Sequence, residues 1–172
     1  PLQAQSLSKV TGARIYPSWR ELVSVKEKEV VIVATNHDSL ALITKVAAEN
    51  GKHVLVEKPG AKNISEIDSV ISIAKKNKVK IHVGFNHRFH NSLLKARELI
   101  DSGEIGDLMF LRGRYGHGGR VGYEREWRAD PKLSGGGEII DQGAHLIDLS
   151  RWFLGDINNI QGFACNYFWN MP

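Results

Sequence analysis

An apolar, largely β-branched run that stops at polar or turn residues and leads into a helical pattern occurs three times in the first part of this chain. Val30-Val31-Ile32-Val33-Ala34-Thr35 leads into residues 39–50, where Leu40, Ile43 and Ala47 share one face before Gly51. His53-Val54-Leu55-Val56 ends at Glu57-Lys58-Pro59 and leads into a helix opened by Ser65 and Asp68, with Ile67, Val70, Ile71 and Ala74 at helical spacing. The third run, Lys80 to Phe85, precedes a helix over residues 92–102. Continuous apolar strands of this kind belong to parallel sheets buried on both faces. Repeated strand–helix units with short linkers therefore predict an α/β fold, its parallel sheet covered on both sides. Right-handed crossovers bring the strand ends at Thr35, Glu57 and Asn86 to one edge, which is where open sheets of this type bind ligands.

The flanking segments are less regular. Residues 3–10 read as a helix closed by Gly12, Ala13 to Tyr16 as a short strand, and Ser18 with Glu21 as a capping box. After Phe89 the pattern changes. The helix over 92–102 stops at Gly103, and the alternating run from Asp107 to Tyr115 predicts a strand. A long loop rich in glycine and charge then spans 116–137, a helix spans 138–154, and a last strand starts near Asn159. Long structured loops usually carry function. A junction near 87–91 divides the chain into units 1–88 and 89–172.

Bulk properties exclude several classes. The formal charge is +4, and its densest cluster, Lys75, Lys76, Lys78 and Lys80, falls where a helix ends. Such a cluster reads as a solvated helix end and not as a nucleic-acid surface. No apolar run reaches the roughly 18–20 residues of a membrane span. The single Cys165 allows no internal disulfide and no multi-cysteine zinc site. The N-terminus has no signal-like pattern, so a cytoplasmic location is expected. The chain starts at Pro1 and stops at Pro172 within a strand-like run, and the expectation is an internal piece of a longer protein.

The chemistry concentrates in Ser134-Gly-Gly-Gly-Glu-Ile-Ile-Asp141-Gln-Gly-Ala-His145 and in Glu57-Lys58-Pro59. On an α-helix, Asp141 and His145 would share a face, the carboxylate orienting the imidazole as a general acid/base pair. Two solvated polar residues, or half a metal site, remain open for that spacing. Lys58 ends a strand, and the proline after it restricts its backbone. It can be an exposed loop lysine or a positive charge aimed at a developing alkoxide. His87 and His90 flank Arg88 at the junction, but no second cluster has zinc-site spacing, so no metal is expected. In the glycine-rich loop, Arg114, His117 and Arg120 are the candidates for contacting substrate, since arginines among glycines can hold a phosphate or carboxylate. A plain mobile loop is the alternative.

Taken in order, Thr35, the run Gly51 to Pro59, Val83 to Phe89, Trp127-Arg128-Ala129-Asp130-Pro131, and Gly135 through Asp141 to His145 resemble the glucose–fructose oxidoreductase/inositol dehydrogenase (Gfo/Idh/MocA) family. The resemblance implies a truncated Rossmann-type parallel sheet followed by a partial α/β domain with an open, mainly antiparallel sheet. It implies NAD or NADP as cofactor, a sugar, cyclitol or nucleotide-sugar hydroxyl as substrate, and a homo-oligomer for the whole protein. By position, Lys58, Asp141 and His145 match the catalytic residues. Thr35, Asn36, Glu57, Lys58, Asn86, Trp127 and Arg128 match positions that line the cofactor. The stretch after Thr35 departs from the Thr-Pro-Asn-x-x-His of relatives, lacking the proline and the later histidine. No Gly-x-Gly-x-x-Gly follows any strand, and the resemblance implies that this fingerprint and two strands precede Pro1. An NAD-dependent glycosidase and a non-catalytic sugar- or cofactor-sensing regulator of the same family are the alternatives.

Overall fold

The computed structural model describes residues 2–116 and 119–165. Strands β1 (Val30–Val33), β2 (His53–Glu57) and β3 (Ile81–Gly84) form a parallel sheet in that order. Val31 pairs with Val54 and Val54 with Ile81, which keeps the strand ends in step. Helices α1 (Leu2–Thr11) and α2 (Trp19–Ser24) precede the sheet, while α3 (His37–Glu49) and α4 (Ile64–Asn77) make its crossovers. A 3₁₀ turn at Asn86–Phe89 leads to α5 (Asn91–Asp101). Further along are 3₁₀ turns at Tyr123–Arg125 and Trp127–Ala129, α6 (Pro131–Ser134), a π turn at Ile139–Gly143 and α7 (Ala144–Leu154). Among the described residues no helix is long and apolar enough to cross a membrane.

The core forms where the predicted faces meet. Val31, Val33, Val54 and Val56 lie under Leu40, Ile43 and Ala47 of α3, with Val23 of α2 closing one side. Full burial of one such aliphatic side chain contributes roughly 1.5–3 kcal/mol. Ala41, Ala61 and Val70 join α3 to α4 in a smaller cluster. Ser18 caps α2 by accepting from the Glu21 amide at 3.3 Å. Helix α4 starts at Asn63, whose side chain accepts from the Glu66 amide at 3.0 Å, so Ser65 and Asp68 lie inside the helix. It ends at Lys78, in the left-handed region at φ 55°, where glycine is the usual residue.

The sheet is not covered on both faces. Burial alternates along β1, and Val30 and Ile32 are 60% and 69% exposed. The reason is topological: strands laid down in sequence order are joined by right-handed crossovers that all pass over the same face. On the other face, uncovered among the described residues, a groove of about 360 Å³ is lined by Ile32, Leu55, His82 and Phe89.

Other expectations also fail. Ala13–Tyr16, Asp107–Tyr115 and the run from Asn159 to Cys165 are irregular, and residues 166–169 lie outside the described part. A strand needs a neighbour for its backbone donors and acceptors, and none of these runs pairs with one among the described residues. The open antiparallel sheet expected after residue 89 is therefore not formed among them, and helices and turns stand there instead. Helix α7 is fastened to the turn after β3 by Arg88, whose Nε and Nη2 donate to Asp148 at 2.7 and 2.6 Å. That two-pronged pairing fixes orientation as well as distance.

Candidate active site

Lys58 leaves the carboxyl end of β2, and Asp141 lies in the π turn 83 residues later. The ammonium of Lys58 donates to the Asp141 backbone carbonyl at 2.6 Å and also to its carboxylate. Arg128 Nε donates to the second carboxylate oxygen at 3.2 Å. The side chains of Asp141 and Lys58 are only 4% and 14% exposed. Burial pushes the Asp141 carboxyl up, but the Lys58 hydrogen bond and charge, helped by Arg128, outweigh it and hold the group below its usual range.

His145 lies on the next turn, yet Asp141 does not orient it. Among the described residues Asp141's hydrogen bonds go to Lys58, Arg128 and Gln142. The cause is local: residues 139–143 form a π turn, wider than the α turn on which the four-residue stacking rule rests. His145 Nδ1 is instead buried without a partner. Its ring packs on His87, with centroids 3.8 Å apart, and Phe85 stands edge-on at 6.2 Å. Burial, then repulsion from His87 and Lys58, pushes its pKa down to about 4. The imidazole is neutral at pH 7.

Trp127 and Arg128 join this cluster, the guanidinium lying over the indole at 4.5 Å. Thr35, Asn36, Glu57 and Asn86 are all exposed at the carboxyl edge of the sheet. Asn36 caps α3 without a side-chain bond, and Glu57 accepts from the Lys58 amide at 3.2 Å. Arg120 pairs with Glu126 at 2.8 Å, and Glu126 also approaches Arg128 at 3.8 Å, which links Arg120 to the cluster. Arg114 is exposed in the loop, and His117 lies outside the described residues.

Two supporting residues escaped the sequence reading. His37, 3% exposed, takes up the Ser134 carbonyl through Nδ1 at 2.8 Å and meets Trp127 edge-on. Burial holds its pKa below the usual value, against the pull of that carbonyl. Lys62 donates to the Lys132 carbonyl at 2.8 Å. Together they clamp the turn before α7, where Gly135 has φ +84° and a Cβ would lie 2.8 Å from Lys62 Cγ. Position is the only signal that could have found them, since both follow a strand's carboxyl end.

Comparison with known proteins gives the family and the fold. Residues 1–85 match the oxidoreductase family with an NAD-binding Rossmann fold, and residues 93–170 match the GFO/IDH/MocA C-terminal domain. Levoglucosan dehydrogenase of Pseudarthrobacter phenanthrenivorans is 28% identical over 164 residues, covering 90% of this chain and 40% of that protein. Inositol 2-dehydrogenase of Salmonella typhimurium is 28% identical over 145 residues, covering 84% and 40%. A solved levoglucosan dehydrogenase in complex with NADH and levoglucosan superposes with a TM-score of 0.84 at 28% identity, over 91% of this chain and 43% of that one. The chain thus spans about 40% of the length of the curated relatives it matches. Matched by both family models and sharing the fold of these relatives, the chain belongs to the Gfo/Idh/MocA oxidoreductase family.

Proposed function

We propose that the protein is an NAD(P)-dependent oxidoreductase transferring hydride between nicotinamide and a sugar, cyclitol or nucleotide-sugar hydroxyl, with Lys58, Asp141 and His145 as its catalytic residues. The observation that carries this reading is the meeting of Lys58, from the carboxyl edge of a parallel sheet, with Asp141 from a distant helical segment that also bears His145. Relatives named for levoglucosan and inositol support the substrate class.

The residues present fit the nicotinamide end of the cofactor. Thr35, Asn36, Glu57 and Asn86 offer exposed hydrogen-bonding groups along the strand ends, beside the positive charge of Lys58, and with Trp127 and Arg128 they would hold it. Bound there, nicotinamide would supply the hydride donor or acceptor. His145 Nε2, on a ring neutral at pH 7, takes the hydroxyl proton. Lys58 has three N–H donors. Two are engaged by Asp141, and the third is available to the substrate oxygen, where a fixed positive charge stabilises the developing alkoxide. Asp141 aims the ammonium and balances its charge. The cofactor-side unit is 1–88 and the substrate-side unit 89–172, with Arg120 and Arg114 as candidates for specificity.

The test uses the whole protein with NAD⁺ and with inositol or levoglucosan. NADH should accumulate, which separates hydride export from a glycosidase that uses the cofactor without net turnover. Lys58→Ala should lower kcat by at least about 100-fold with the circular dichroism spectrum retained. Near-normal turnover in that variant rejects the assignment.

A further inference from the structure

His87 and His145 come from different parts of the chain, the 3₁₀ turn after β3 and helix α7. Their ring centroids are 3.8 Å apart, with planes inclined by 33°. The contact is pinned from both sides. Arg88, the neighbour of His87, grips Asp148, one turn beyond His145. Beside both rings, Tyr115 Oη lies 3.3 Å from His87 Nε2, and the Tyr115 ring stands edge-on to His87 at 5.2 Å and to His145 at 6.2 Å. The tilted rings share no hydrogen bond among the described residues, so they interact through charge and not through a shared proton.

We propose that His87 is a positioning residue for the proton-transfer step: stacked on His145 and held by Tyr115, it keeps the two imidazoles from being charged together and so presents His145 as a neutral base. The inference rests on the reading of His145 as the base. Like charges this close titrate as a pair, with protonation of one opposing protonation of the other. Of the other groups facing His145, only Lys58 acts in the same direction, and it is paired with Asp141. Lys58, from the end of β2, opposes a proton on His145, while Asp148 and Asp141 on its own segment favour one. Asp148 is engaged by Arg88, and Asp141 by Lys58 and Arg128. Tyr115 meets both rings edge-on. His87 is the facing group whose ring packs directly on that of His145. His145 is also more buried than His87, and that burial is the largest cause holding it uncharged.

The experiment is an NMR titration of the histidine Cε1–H signals in the whole protein, run beside the pH profile of kcat/KM. In the unaltered protein the His145 midpoint should lie near 4. His87→Gln should raise it by about one pH unit, roughly tenfold in proton affinity, and should move the acid limb of the rate profile equally. His87→Arg puts a permanent charge at the same place and should keep the midpoint at or below its original value. That opposite sign separates charge from packing. An unchanged midpoint in His87→Gln, or a raised one in His87→Arg, overturns the proposal whatever the activity does. A midpoint that moves while the rate profile stays fixed supports the coupling and overturns instead the role of His145 as the base. If His87→Gln does not fold, His87→Arg decides through the sign of its shift.

Discussion

Asp141→Asn tests the charge balance at the centre of the site. Asp141 is 4% exposed and Lys58 14%, so the substitution leaves an ammonium in a nearly sealed position. Breaking a buried pair by removing one partner costs about 3–5 kcal/mol. The Asp141 carbonyl still accepts from Lys58, which places the loss near the lower bound, about 3 kcal/mol. Arg128 is 35% exposed and turns to water, adding little. Lys58→Met is milder, because Asp141 keeps Arg128 at 3.2 Å. Its cost should be about 1–2 kcal/mol. The double variant strands no ammonium, so it should cost less than the sum of the two by about 2 kcal/mol. Urea denaturation of the four proteins at pH 7 measures the cycle, and additivity within about 0.5 kcal/mol would refute the argument. The acid side supplies a second check. A carboxyl held below its usual 3.8 stabilises the fold above that pH and loses the contribution as pH falls through its lower folded value. The gap between the unaltered protein and Asp141→Asn should therefore close below about pH 4. A gap that stays constant down to pH 2 contradicts the assignment.

Two further predictions concern the backbone. Lys78→Gly relieves a left-handed residue at the end of α4 and should raise stability by about 0.5–1 kcal/mol in thermal denaturation; a loss would show that Lys78 gains more from its side chain than it forfeits at φ 55°. Gly135→Ala drives a Cβ to within 2.8 Å of Lys62 at φ +84°. It should cost about 1–3 kcal/mol and lower kcat more than a distant substitution of equal cost, because the turn leads into the segment bearing Asp141 and His145.

Much of the first unit was legible because its signals are local. β-branched runs and 3.6-residue periodicity describe neighbours, and β1 to β3 with α3 and α4 follow from them. The element after Ser134 was legible as a helix but not in its pitch. Nothing in Ile139-Ile140-Asp141-Gln142-Gly143 marks a π turn, so the four-residue rule placed Asp141 beside His145 when its partner is Lys58. The strands expected at Ala13–Tyr16 and Asp107–Tyr115 show the matching weakness. Alternation makes a run suitable for a strand, but only a paired neighbour makes it one.

The sequence by itself determined the order and parallel sense of the strand–helix units, and which residues at their ends have chemistry to offer. The tertiary structure alone decided which face of the sheet is left open, which partner each buried charge takes, and that His87 lies against His145. Periodicity reports on residues a few positions apart, while an ion pair or a ring stack depends on ångströms between segments such as Lys58 and Asp141, 83 residues apart in the chain.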